Sequence, residues 1–238
     1  MKFNWKYQLI LWSKNAESST QAVYELLRFL SKLGEEFEPK FYGKKRIPIL
    51  DIEYINNLIL ENKDKTFPQF GSNLVFSTSY PKMGISYRFS VGITSEKFPN
   101  TFIIEIPADY FLKDTALISY DKLLDIFDKS IKIFNPFWGC VLNTTNHLRF
   151  ASVFEKIDTM KIPLGIFWLN YFDTNIEKLI GYQNLEKASF KDIIKKDRGG
   201  IYVLQHDPFL DYNYHHLELQ NEIIQKLNFQ NLFNKFPR

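Results

Sequence analysis

Residues 5–34, WKYQLILWSKNAESSTQAVYELLRFLSKLG, decide the fold class. The first eight, WKYQLILW, are rich in strand formers but alternate imperfectly, which predicts a strand covered on both faces and central in a sheet. The period then changes. Val23, Leu26, Leu27, Leu30 and Leu33 form a stripe at helical spacing, Ser18 and Gln21 stand three apart as a capping box requires, and Gly34 stops the run. A strand followed by an amphipathic helix is the first organising unit.

Outward from that unit, GISYRFSVGI (84–93) and TFIIEIP (101–107) flank TSEKFPN, whose turn signals predict a hairpin and therefore antiparallel pairing. Residues 37–46 form an irregular basic and aromatic connection. Asp51 caps a short helix with Ile52, Ile55 and Ile59 inward, and 61–72 is a polar loop. A second long helix runs over 119–134 from Ser119, burying Leu123, Leu124, Phe127, Ile131 and Phe134, and Pro136 prevents its extension. FWGCVLN (137–143) is a strand, and 146–157 a short helix or an irregular segment. PLGIFWLNYF (163–172) is strand-like, turning into a helix near Asp173, and 186–198 is charged and carries no clear period. Ile201–Gln205 is a strand after a Gly199-Gly200 turn, and Tyr214–Leu227 is a terminal helix. The expected class is α+β, with helices packed on a twisted mixed, largely antiparallel sheet. It is organised as one domain over 1–238 or as two intimately packed, related halves near 1–115 and 116–238.

A chain of 238 residues buries roughly 70% of its unfolded surface without staples. Its only cysteine, Cys140, excludes an intrachain disulfide. The start lacks the apolar region and cleavage site of a signal peptide, and no run approaches a membrane span, so a cytoplasmic location is expected. Thirty basic and 27 acidic residues leave a net charge of +3, too even to argue for a polyanion partner.

The sequence carries no pattern that points to chemistry. The four histidines, His147, His206, His215 and His216, show no metal-ligand spacing, and the Gly199-Gly200 pair lacks the rest of a phosphate loop. Cys140 lies in a strand that reads as buried, where a thiol is inert. No cofactor, metal or catalytic set is expected. Asp121, Asp125 and Asp128 share one helical face as a solvated or partner-facing stripe. Lys40, Lys44, Lys45 and Arg46 beside Phe41 and Tyr42 resemble a nucleic-acid contact locally, but they are few and follow Glu35, Glu36 and Glu38. For a protein partner, aromatics that flank turns or fall outside apolar stripes are the expected anchors: Phe41, Tyr42, Tyr80, Tyr110 and Tyr212.

Residues 9–46 resemble the opening of the immunity protein 52 family, bacterial antidotes to polymorphic toxins. The matching features are Trp12, the Glu17-Ser18 pair, Phe29-Leu30, Leu33, Phe37, Pro39, Phe41 and Gly43. WLNYF (168–172), GGIYVL (199–204) and the final helix are similar to that family and to related type VI secretion immunity proteins, and Lys14 departs from it where the pattern has arginine. The resemblance implies a stoichiometric inhibitor of a cognate toxin, in this family often a nuclease, with no chemistry of its own. Against a basic nuclease cleft, Glu35, Glu36 and Glu38 or the Asp121, Asp125 and Asp128 stripe would supply acidic surface. The competing readings are an enzyme with a nonlocal site around His206 or Asp207, and a nucleic-acid-binding or scaffolding module.

Overall fold

A computed structural model describes residues 5–14, 19–81, 84–112, 116–150, 157–158 and 160–237, with the backbone alone at 147 and 148. Ser18, one half of the expected capping box, lies outside them, as do residues 151–156 and the side chain of His147.

The opening strand, β1 (Lys6–Ser13), leads to α1 (Ser19–Ser31). A small hairpin, β2 (Phe41–Tyr42) and β3 (Lys45–Arg46), precedes α2 (Ile52–Glu61) and a meander of β4 (Ser72–Ser77), β5 (Ser86–Val91) and β6 (Asn100–Pro107). The short α3 (Asp109–Leu112) and the long α4 (Tyr120–Phe134) lead to β7 (Trp138–Asn143) and α5 (Thr144–Leu148). Next come β8 (Leu169–Asp173), α6 (Thr174–Ile180), α7 (Tyr182–Lys187), β9 (Asp192–Lys196), β10 (Gly199–Val203), α8 (Tyr214–Lys226) and α9 (Phe229–Lys235).

All ten strands join one sheet in the order β3-β2-β4-β5-β6-β1-β7-β8-β10-β9. Every described pairing is antiparallel, so the fold is α+β as expected but has no parallel component. β1 is central, between β6 and β7, which explains its imperfect alternation: Leu9, Ile10 and Leu11 are all buried.

One face of the sheet carries α1, α2 and α4. α1 buries Val23, Leu26, Leu27 and Leu30, and α4 buries Leu123, Ile126, Phe127, Ile131 and Phe134. Phe89, Phe102 and Phe134 pass the contact from strand to helix, with ring centroids 4.7 and 6.0 Å apart. Local chemistry sets the helix ends. Asp51 Oδ1 accepts from Tyr54 N at 2.7 Å, Ser119 Oγ from Lys122 N at 3.2 Å, and Asp173 Oδ1 from Ile176 N at 2.8 Å.

Several expectations change. The inward face of α2 is Ile55 and Leu58, with Ile52 exposed, because the helix meets α1 and β4 along that line. Residues 37–46 carry the β2–β3 hairpin around Gly43, and the 61–72 loop contains a 3-10 turn at Pro68–Phe70. Of the 163–172 stretch only 169–172 pairs as a strand, which runs on to Asp173. Gly199 and Gly200 lie inside β10, so the turn before it is Asp197-Arg198, and the charged 186–198 segment supplies the edge strand β9.

Candidate functional site

The opposite face of the sheet is open over β4, β5 and β6. Along these strands burial alternates: Leu74, Phe76, Tyr87, Phe89, Phe102 and Ile104 point into the core, while Asn73, Val75 and Arg88 are exposed and Ser90, Thr101 and Ile103 half-buried. The register places Asn73, Ser90, Thr101, Trp12 and Trp138 opposite one another in one row across five strands. Asn73, Ser90, Thr101 and the half-buried Trp12 are the floor of a groove of about 900 Å³.

Two walls rise from this floor. One is the β5–β6 connection with Glu96, Lys97 and Phe98, joined by Phe70; the other is Ile157 and Asp158 with Pro237. The first wall is held by buried Asn100, whose Oδ1 accepts from Ile93 N at 2.9 Å and whose Nδ2 donates to Ile93 O at 3.3 Å. Thr94 N donates to Gln69 O at 3.1 Å, tying the connection to the 3-10 turn. Gly71 is required there, because at φ 66° a Cβ would come within 2.1 Å of Val91 O. The second wall is a bridge between Ile157 and Pro237, closed by Asp158 N donating to Phe236 O at 3.0 Å.

At the first wall, the Phe67, Phe70 and Phe98 rings form a ladder with centroids 5.7 and 5.6 Å apart, and all three are exposed. Such a cluster beside a concave, half-polar floor is the surface composition of a binding site. Further along the open face, Glu105 joins three strands: its Oε2 meets Lys6 Nζ at 2.9 Å and Arg88 Nη2 at 3.1 Å, and its Oε1 accepts from Gln8 Nε2 at 3.1 Å. Burial opposes its ionisation, but the hydrogen bond and charge of Lys6, with Arg88, outweigh that and lower its pKa.

The residues singled out from sequence lie elsewhere. Glu35 and Glu38 share Lys40, at 2.9 and 3.7 Å, and Glu36 pairs with Lys122 at 3.2 Å, so two lysines offset most of the charge of this run. Phe41 approaches Tyr80 at 6.3 Å near the β3 edge of the sheet, while Tyr42 is half-buried against Phe76. Tyr110 is half-buried and Tyr212 exposed. Asp121 and Asp125 are exposed, but Asp128 is engaged by Lys132 at 2.8 Å and by Lys196 of β9 at 2.7 Å. The carboxylate stripe is thus split between solvent and a structural ion pair.

His206 engages Asp192 on β9 and lies 4.7 Å from the Tyr120 ring, a cluster that sequence spacing does not reveal. Burial, with the nearby Asp192 and Asp121 charges, pushes the Tyr120 hydroxyl up to about 12. Cys140 is fully buried in β7, and burial alone raises its thiol pKa well above the ordinary value. Among the described residues no group of three or more His, Cys, Asp or Glu is arranged to hold a metal, and no helix is long and apolar enough to cross a membrane.

The fold and groove define an α+β protein built on one antiparallel sheet with an open half-face. No protein-family model matches the chain, and no curated protein matches it. Among solved structures it is similar to the Pseudomonas aeruginosa T6SS protein PA0821, with a TM-score of 0.63 at 9% identity over 94% of this chain and 73% of that one. At such identity the likeness is one of fold.

Proposed function

We propose that the chain is an immunity protein that binds a cognate bacterial toxin and neutralises it by stoichiometric protein–protein contact. The observation that carries the reading is the groove on the open sheet face, with Trp12 in its floor and Phe67, Phe70 and Phe98 exposed along its rim. Exposed aromatics around a preformed concavity are the usual energetic anchors of a protein interface. Two further points support it: the resemblance of residues 9–46 to the immunity protein 52 family, and the fold likeness to a protein named for type VI secretion. A nuclease target receives little support from electrostatics, since Glu35, Glu36, Glu38 and Asp128 are paired internally and only Asp121 and Asp125 remain free on that side.

Co-expression with the product of the neighbouring gene tests the reading. A co-purifying complex and rescue from that product's toxicity are expected, and failure of both overturns it.

A further inference from the structure

Away from the groove, a second cleft of about 350 Å³ opens where the end of β1 meets the turn between β9 and β10. Its base is apolar, made by Pro136, Phe137 and the Tyr171 ring. Its rim brings together two cations from distant parts of the chain, Lys14 and Arg198. Among the described residues neither has a carboxylate partner within ion-pair distance.

Both cations are held in place. Lys14 Nζ lies 5.0 Å from the centroid of the Phe137 ring. Arg198 is fixed at both ends. Its carbonyl accepts from Tyr171 Oη at 3.1 Å and from Thr174 N at 3.0 Å, and its Nη1 donates to Asn135 Oδ1 at 2.7 Å. Asn135 itself adopts the left-handed conformation, φ 50° and ψ 58°, that closes α4. Only one of five guanidinium N–H groups is used on Asn135, so the fork keeps donors for a ligand. The one acid on the rim, Asp173, is turned to internal partners: Oδ1 accepts from Ile176 N at 2.8 Å and Oδ2 from Asn175 Nδ2 at 3.5 Å.

We infer that this cleft binds a small oxyanion, a phosphate- or carboxylate-bearing molecule, between the Arg198 guanidinium and the Lys14 ammonium. The planar fork matches two oxygens of either group, and the lysine adds a point charge. The aromatic base accommodates an apolar body attached to the anion.

The test is a titration of the full chain with inorganic phosphate and, separately, with succinate, followed by amide and side-chain NMR shifts. Saturable shifts confined to Asn135, Thr174, Asn175 and Arg198 are expected, and the tighter arm identifies the anion class. Arg198→Ala should weaken binding about tenfold or more, and Lys14→Gln by a smaller factor. Arg198→Lys keeps the charge and the fold but loses the fork, so it should also weaken binding. Non-saturating shifts in both arms, or unchanged affinity in Arg198→Lys and Lys14→Gln, overturn the inference.

Discussion

Trp12 and Trp138 stack face to face across the β1–β7 ladder, with ring centroids 3.8 Å apart and planes 7° from parallel. One indole is fully buried and the other forms the floor of the groove, so a core residue sets the position of a surface one. Removing Trp138 in Trp138→Ala should cost about 3–5 kcal/mol in urea denaturation, the range for deleting a large buried ring. An unchanged midpoint would show that the stack is not part of the core.

The groove rim makes a separable prediction. Phe98→Ala and Phe70→Ala truncate exposed rings, so each should change stability by about 0.5 kcal/mol or less. If the rim anchors the toxin, the same changes should weaken the complex by about 2 kcal/mol, roughly thirtyfold, in calorimetry with the co-purified partner. Equal loss of binding in Phe41→Ala and Tyr80→Ala, with none at the rim, would move the interface to the β3 edge.

Glu105 makes stability depend on pH. Its folded pKa lies below the ordinary 4.5, so the unfolded chain holds the proton more tightly. The stabilisation is therefore fully present above pH 4.5 and is lost as pH falls through the lowered value. Because Arg88 is half in solvent, the loss in Glu105→Gln should be about 1–2 kcal/mol at neutral pH. Denaturation curves of the two proteins should converge in acid. A gap that persists at pH 2 would assign the effect to packing.

His216 also makes stability fall in acid, from a different cause. Burial disfavours its charged form and the neighbouring His215 adds to that, which outweighs the opposing Asp207 charge and the hydrogen bond with Leu210, so its pKa is lowered from 6.5. Its contribution is present above 6.5 and lost as pH falls through the lowered value. An NMR titration should find its imidazole midpoint below 6.5; a midpoint above that would contradict the arrangement.

Gly199 begins β10 with φ 146°, and a Cβ there would lie 2.0 Å from Phe172 O on the paired strand. Backbone cannot swing aside as a side chain can, so Gly199→Ala should cost about 2 kcal/mol or more in thermal unfolding. A neutral result would mean that the β8–β10 pairing is looser than its register implies.

What could be read from the sequence follows from the range of the interactions. The β1–α1 unit, the β5–β6 hairpin and the Ser119 cap rest on residues close in the chain, and periodicity reveals them. β2 and β3 are two residues each and β9 is the charged edge strand DIIKK, too short or too polar for a period to mark them, although β3 and β9 pair only with the strand next to them in the chain. No local pattern marks the groove, because its floor is one residue from each of four strands, and Phe98 reads locally only as part of a turn. Trp12 belongs to the family-like pattern, which gives the residue no place in the fold. Asp192 is not legible as the partner of His206, because fourteen residues and a strand pair separate them.

The central position of β1 has a further bearing on how the protein is made. Lys6 pairs with Pro107, and Trp12 with both Thr101 and Trp138, so β1 waits for neighbours synthesised long after it. At roughly 5–20 residues per second, translation leaves both edges of an apolar strand unpaired for several seconds. The nascent chain therefore passes through a window in which an apolar strand with two open edges is free to adhere. A ribosome stalled before residue 138 should hold a form that chaperones recognise and the completed protein does not.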